Sequence, residues 1–318
     1  MRRLILAVAV AGLALAVAAC GSSNKSSSSS TPASTGAAPA ASSKPGAGKP
    51  AVTLGDKNFT EQFILGQLYK QALEAKGYTV KLKANIGSSE LIDKSLTSGQ
   101  IDLYPEYTGV ILAELEHNTD RLPDADAAYQ EAKKWEEGRG FTMLDKTPFF
   151  DTDALAVMPD FAQKNNLQTV ADLAKLPSGS VTVGAPPEFA TRFAGLKGLK
   201  SEYGLTLKLK PLTIGLQYKA LDTGKVDTAD VFTTDGQLQG NKYVVLKDPK
   251  NVFGFQNVAP VVSKKVLDAQ GPEFGATLNA VSAKLTDEAM RKMNAAVDLD
   301  KQDPAKVAQQ FLAANGLA

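Results

Sequence analysis

Leu96-Thr97-Ser98-Gly99-Gln100-Ile101-Asp102 and Leu221-Asp222-Thr223-Gly224-Lys225-Val226-Asp227 share one pattern, Leu-x-Ser/Thr-Gly-x-Ile/Val-Asp. Each reads as a helix closed by a glycine that can take positive φ, with a strand directly after it. Upstream, Thr53-Leu54-Gly55 leading to Phe59 and Thr182-Val183-Gly184 leading to Phe189 echo each other as strands ending in a loop that opens a helix. Two echoes in the same order predict two α/β lobes of similar build.

Outward from these markers the same rhythm continues. Tyr78, Val80, Leu82 and Ala84 keep period two, as in a half-buried strand, after a helical stretch with Phe63, Ile64, Leu68, Ala72 and Ala75 on one face. Asn58 and Glu61 have capping-box spacing for that helix, with Thr60 as the other candidate cap. Alternating strands and helices predict a mostly parallel sheet in each lobe. In such sheets ligands sit beyond the carboxyl ends of the strands, here around 56–60, 87–89, 104–110, 186–192 and 232–236. Two extended runs, Ala154-Leu155-Ala156-Val157 and Val258-Ala259-Pro260-Val261-Val262, read as crossings between lobes, which makes a hinge over a cleft. The expected boundaries are 51–153 with 259–318 for the first lobe and 154–258 for the second. Leu285, Met293, Val297, Val307 and Phe311 fall at helical spacing and read as core.

Before Ala51 the sequence reads as an address and a tether. Arg2 and Arg3 precede an apolar run from Leu4 to Ala19, short for a spanning helix and suited to a signal peptide over 1–19. The run ends in Val17-Ala18-Ala19-Cys20-Gly21, which resembles the bacterial lipobox. Cys20 is therefore read as a lipid anchor holding the protein to a membrane of the cell envelope. Residues 20–50 are nearly all Ser, Ala, Gly, Pro and Thr, cannot bury enough surface to offset their ordering entropy, and read as a flexible linker.

Composition narrows the chemistry. Of 318 residues 43% are hydrophobic and 22% charged, as in a globular protein with one or two cores. One Cys and one His leave no thiolate zinc cluster and no Cys-x-x-Cys pair, so neither metal nor cofactor is expected. Five basic residues fall in the first 50, which leaves 30 basic against 34 acidic in the folded part and gives no basic surface for nucleic acid.

Gly-x-Ser-x-Gly, Walker, Gly-x-Gly-x-x-Gly and His-Glu-x-x-His motifs are absent from the sequence. His117 lies in a polar stretch and reads as a surface residue. Asp102 and Glu106 would suit the acid and base of a cell-envelope hydrolase, but a strand and the turn after it more often use carboxylates for structural hydrogen bonds. The preferred reading is not an enzyme. The strand ends offer aromatic rings, Tyr104, Tyr107, Tyr218 and Phe232, and a cation, Arg192. A methylated ammonium has no N–H to donate and is held by ring faces around it, while a guanidinium meets a carboxylate with two parallel hydrogen bonds. A cationic amino acid as ligand, and a scaffolding role with an unused cleft, stay open on these residues.

Asn58-Phe59-Thr60-Glu61-Gln62-Phe63-Ile64-Leu65-Gly66, Ile101-Asp102-Leu103-Tyr104-Pro105-Glu106-Tyr107-Thr108-Gly109, Pro187-Glu188-Phe189 with Arg192, and Thr234-Asp235-Gly236 occur in that order. Together with the closing Asp303-Pro304-Ala305, this series resembles the osmoprotectant-type substrate-binding proteins of ABC importers, which bind glycine betaine, choline, carnitine and related solutes. The resemblance implies a type II periplasmic-binding-protein fold with two crossing hinge strands and the ligand in the interlobe cleft. It also implies an ABC permease with its ATPase subunits as partner. Carried over by position, Tyr107, Phe232 and Tyr218 belong to the quaternary-ammonium cage, Arg192 and Lys57 face the acid end, and Gln62 and Ser89 are polar wall positions. Three positions depart from the family pattern. Val110 stands where many members have Thr, Asp153 where a cage Tyr is frequent, and Gln256 near another frequent Tyr. An added carboxylate and fewer rings favour a cation with a polar or N–H-bearing part, such as choline or the betaine of a larger amino acid.

Overall fold

A computed structural model describes residues 44–118, 120 and 122–318. The expected signal peptide, Cys20 and the linker as far as residue 43 lie outside the described residues. β1 (Val52–Gly55), β2 (Val80–Lys83), β3 (Leu103–Tyr107) and β4 (Phe141–Met143) belong to a first sheet. β5 (Asp153–Val157), β6 (Thr182–Ala185), β7 (Lys208–Pro211), β8 (Thr228–Phe232) and β9 (Val244–Leu246) make a second, and β10 (Val258–Ser263) returns to the first. The orders are β2-β1-β3-β10-β4 and β7-β6-β8-β5-β9, one topology used twice.

Both sheets are mixed, where a mostly parallel sheet was expected. β1 runs parallel to β2 and β3, and β6 to β7 and β8. The strand that enters each sheet from the hinge, β10 or β5, runs antiparallel to both of its neighbours. It arrives from the edge where the parallel strands end, so it can pair only in the opposite direction. The two crossing segments also pair with each other: Phe150 and Asn257 form an antiparallel bridge, and the Asp151 N–H donates to the Gln256 carbonyl at 3.1 Å.

The repeated sequence pattern marks equivalent positions in the two lobes. After helix α1 (Thr60–Ala75), helix α2 (Ser89–Thr97) turns at Gly99, and the helix Gln217–Asp222 turns at Gly224, with φ of 72° and 63°. The next Asp then closes a two-bond clasp on the first strand of its lobe. Asp102 Oδ2 accepts from the Thr53 N–H at 2.7 Å while the Asp102 N–H donates to the Thr53 carbonyl at 2.8 Å. Asp227 does the same with Thr182, at 2.8 and 3.0 Å. Asp102 is thus tied into the sheet, and the acid-base role considered for it is set aside.

Both faces of each sheet are covered. In β3 every residue is buried: Leu103 and Tyr107 point into the core under α1 and the C-terminal helices, and Tyr104 into the core under α2. Tyr104 was expected at the cleft edge, but strand alternation turns it away from Tyr107. Leu285, Met293 and Val307 join the first of these cores, with Val297 and Phe311 packed against it. His117 is exposed. Helix α1 begins without a capping box, since Phe59 precedes it with no side-chain cap bond and the Thr60 hydroxyl donates to Asp298 Oδ1 at 2.6 Å. Residues 44–50, read as tether, are docked: the Gly46 N–H donates to the Lys76 carbonyl at 3.0 Å and Lys49 Nζ to the Ala269 carbonyl at 3.1 Å. No helix among the described residues is long and apolar enough to cross a membrane.

Each clasp joins a carboxylate to a backbone N–H, a bond worth about 1–2 kcal/mol at a half-exposed site. Asp102→Ala and Asp227→Ala are each expected to lower the urea midpoint accordingly, without changing the affinity for ligand. An unchanged midpoint for both would show that the clasps hold nothing.

Candidate functional site

The carboxyl ends of β1, β3, β6 and β8 and the start of β5 converge on a cleft of about 610 Å³ between the sheets. Its ring wall is a stack in which Phe59 is the middle member. The Phe59 centroid lies 6.2 Å from that of Tyr107, on β3, and 5.5 Å from that of Phe232, at the end of β8, with interplanar angles of 27° and 13°. The stack therefore runs from one lobe into the other. Phe189 completes the aromatic lining.

Lys57, directly after β1, is buried and paired with Glu106, Nζ to Oε1 at 2.5 Å, with a second hydrogen bond to Ser89 Oγ at 3.0 Å. The same ammonium lies 4.4 Å from the centroid of the Tyr107 ring. Burial pulls the Lys57 pKa down and Glu106 opposes that shift. Arg192, from the second lobe, donates Nη2 to both oxygens of Glu90 on α2 at 3.2 Å, while its buried Nε–H has no hydrogen-bond partner. Burial works against the guanidinium charge, and Glu90, Glu114, Asp153 and Glu188 more than offset it.

Two carboxyls face the cleft from neighbouring strands, Asp153 on β5 and Asp230 on β8. Burial raises the pKa of both. Arg192 and a hydrogen bond from Asp230 hold Asp153 back, whereas the neighbouring Asp153 charge pushes Asp230 well above the carboxylate range. Two like charges this close favour one shared proton. Asp230 Oδ1 has no hydrogen-bond partner. The cleft thus combines ring faces, one guanidinium N–H and an acidic pair, a set suited to holding a small cation or zwitterion. Among the described residues no group of three or more His, Cys, Asp or Glu side chains is arranged to hold a metal ion.

Residues 50–314 match the model of the substrate binding domain of ABC-type glycine betaine transport systems. The chain belongs to this family. It is 38% identical over 270 residues to the glycine-betaine-binding protein of Pseudomonas aeruginosa, covering 81% of this chain and 86% of that one. It is 33% identical over 265 residues to the ergothioneine transport permease/ergothioneine binding protein of Helicobacter pylori, covering 82% of this chain and 47% of that protein. A solved glycine betaine/carnitine/choline ABC transporter structure superposes with a TM-score of 0.67 at 28% identity, over 84% of this chain and 99% of that one. The two-lobed, type II periplasmic-binding-protein architecture expected from the sequence is the architecture present.

In this substrate-binding domain Lys57, Ser89, Tyr107, Asp153, Arg192, Phe232 and Gln256 line one cleft. Gln62 and Tyr218 do not. Gln62 is buried behind the wall, accepting from the Lys57 N–H at 3.3 Å and donating to the Pro105 carbonyl at 3.2 Å. Tyr218 packs on Tyr243 and donates its hydroxyl to Asp235 Oδ2 at 2.6 Å, on the far side of Phe232. Gln256 reaches the cleft as a hinge tie: Oε1 accepts from the Val110 N–H at 3.0 Å and Nε2 donates to the Phe253 carbonyl at 3.1 Å. Sequence reasoning missed the Phe59 ring, Asp151 and Asp230. Phe59 stands inside the quoted Asn58-to-Gly66 motif, where its place just after a strand was the available signal. Asp230, inside an otherwise apolar strand, was a second.

Asp235 is pushed from 3.8 up to about 7 by burial. Its folded pKa lies above the unfolded one, so its protonated form stabilises the fold at low pH, and that contribution is lost as pH rises from about 4 through about 7. Both donors to Asp235, the Tyr218 hydroxyl and the Phe232 N–H, meet the same oxygen, Oδ2, so an amide oxygen can accept both. Asp235→Asn is expected to raise the thermal midpoint relative to wild type at pH 8 by more than at pH 5. An equal shift at the two pH values would contradict the assignment.

Proposed function

We propose that the cleft captures a small methylated-ammonium solute outside the cytoplasm and delivers it unchanged to an ABC permease with its ATPase subunits. The observation that carries this reading is the ring stack Tyr107–Phe59–Phe232 beside Arg192. Ring faces from both lobes can enclose an ammonium without N–H groups, at about 0.5–2 kcal/mol per ring when water is excluded. The Arg192 Nε–H makes no hydrogen bond, with Glu114 Oε2 3.9 Å away, and offers a donor to a ligand carboxylate. Lys57 is spent on Glu106 and contributes field rather than a direct bond. Family membership, and relatives named for glycine betaine and ergothioneine, support the same ligand class.

Within that class, Asp153 and Asp230 favour a ligand that carries an N–H or O–H donor besides its methylated ammonium. Choline has a hydroxyl, and ergothioneine, a histidine betaine, has ring N–H groups; glycine betaine has neither. The Cys20 anchor belongs to the same proposal, with the mature chain lipid-linked in the cell envelope and the docked 44–50 segment ending its tether.

Calorimetric titration of refolded protein with glycine betaine, carnitine, choline, ergothioneine and arginine tests the reading. One-to-one binding of a methylated ammonium is expected. Asp153→Ala should weaken choline or ergothioneine about tenfold, equivalent to about 1.4 kcal/mol, and leave glycine betaine nearly unchanged. Binding of arginine alone would move the assignment to a cationic amino acid, and silence from all five would overturn it. For the anchor, Cys20→Ser should release the protein from the membrane fraction, and retention there would exclude lipid attachment at that residue.

A further inference from the structure

Glu61, the second residue of α1, is buried at the boundary between the lobes and makes no part of the cap that its spacing suggested. Oε1 accepts from the Tyr107 hydroxyl at 2.8 Å. Oε2 accepts from the Thr234 hydroxyl at 2.6 Å and from Asn294 Nδ2 at 3.1 Å. Thr234 follows Phe232 in the second lobe and is itself buried. Its N–H donates to Asp151 Oδ1 in the hinge segment at 3.0 Å, and its carbonyl accepts from Asn294 Nδ2 at 3.0 Å. The loop around it lies against the first-lobe helix Asp287–Asp298: Arg291 Nε donates to the Thr233 carbonyl at 3.1 Å, and a Cβ at Gly236 would stand 2.5 Å from the Ala295 Cα.

One carboxylate therefore holds a cleft ring in one lobe and a loop of the other. We propose that Glu61 is a positioning residue that couples the seating of the Tyr107 ring to docking of the Thr234 loop, so that a solute held by the ring wall favours the closed pair of lobes. The link to a solute rests on the function proposed above; the link between the lobes does not. Its physical basis is differential. With the lobes apart, Glu61 would keep Tyr107 and lose the Thr234 hydroxyl, and a buried carboxylate deprived of a donor is costly. The Thr234 hydroxyl and Asn294 Nδ2 both meet Oε2, so an amide at 61 keeps them by turning its nitrogen to Tyr107, whose hydroxyl then accepts, whereas an alanine loses all three bonds. Burial pushes the Glu61 pKa up, against the three donors and Lys57.

The test uses the full chain with Thr234→Val, which removes the hydroxyl at constant shape, Thr234→Ser, which restores it, and Glu61→Ala, which removes all three bonds. Without ligand, hydrogen–deuterium exchange over 233–239 should speed up at least threefold in Thr234→Val and Glu61→Ala and stay at the wild-type rate in Thr234→Ser. Exchange in the strands of either sheet should stay unchanged. With glycine betaine as probe, Thr234→Val should bind about tenfold more weakly, and Thr234→Val combined with Tyr107→Phe should bind less weakly than the product of the single effects. Wild-type exchange over 233–239 in Thr234→Val overturns the coupling, as do single effects that simply multiply. If wild type binds no solute of the panel, the proposed function fails while the exchange comparison still decides the lobe-to-lobe link.

Discussion

The Lys57–Glu106 pair, at 2.5 Å and out of water on both sides, is the interaction around which the first-lobe wall is arranged. Removing either partner would leave an uncompensated buried charge, a loss of about 3–5 kcal/mol. The pair is built into the backbone, for Glu106 Oε1 also accepts from the Tyr107 N–H at 2.8 Å and Gln62 accepts from the Lys57 N–H. It places an ammonium against one face of Tyr107 and near Phe59, so these rings already serve a cation of the protein's own. In the proposed function this leaves the ligand carboxylate to Arg192, whose Nη2 is bonded to Glu90. In the same proposal the ligand ammonium is left to Phe59, Phe232 and the remainder of Tyr107.

The acidic groups divide by what they touch. Asp102 and Asp227 tie strands together, Glu106 neutralises Lys57, and Glu61 gathers three donors at the lobe boundary. Asp153 and Asp230 line the cleft from adjacent strands, and Asp230 Oδ1 has no hydrogen-bond partner. Types and spacings in the sequence do not separate these uses, because each depends on which strand lies opposite.

That dependence explains what was legible. The twofold plan could be read because each lobe repeats a local signal, a helix, a positive-φ glycine and an Asp, and local signals survive in one dimension. The crossing strands could be read because both are short apolar runs. The direction in which they pair could not, since it is set by the hinge from which they enter. Among site residues, Tyr107 and Arg192 stood in motifs long enough to be placed. Tyr104 and Tyr218 were misplaced because an aromatic ring at a strand end or on a short helix serves a core as readily as a cleft. Asp230 escaped notice because its partner, Asp153, comes from a distant strand, and proximity of that kind has no sequence period.

The second sheet is made from one unbroken stretch of chain, β5 to β9, whereas the first needs β10 between β3 and β4 before it is complete. A ribosome delivers the second sheet whole while the first still has a missing middle strand. The central lobe can therefore fold during synthesis on contacts close in sequence, and the outer lobe must hold β3 and β4 apart, with unpaired edges, until the last fifth of the chain emerges. Export in an unfolded form would remove that asymmetry in timing. The same chain made in the cytoplasm without export would carry an exposed pair of strand edges for longer, and aggregation, if it occurs, would begin there.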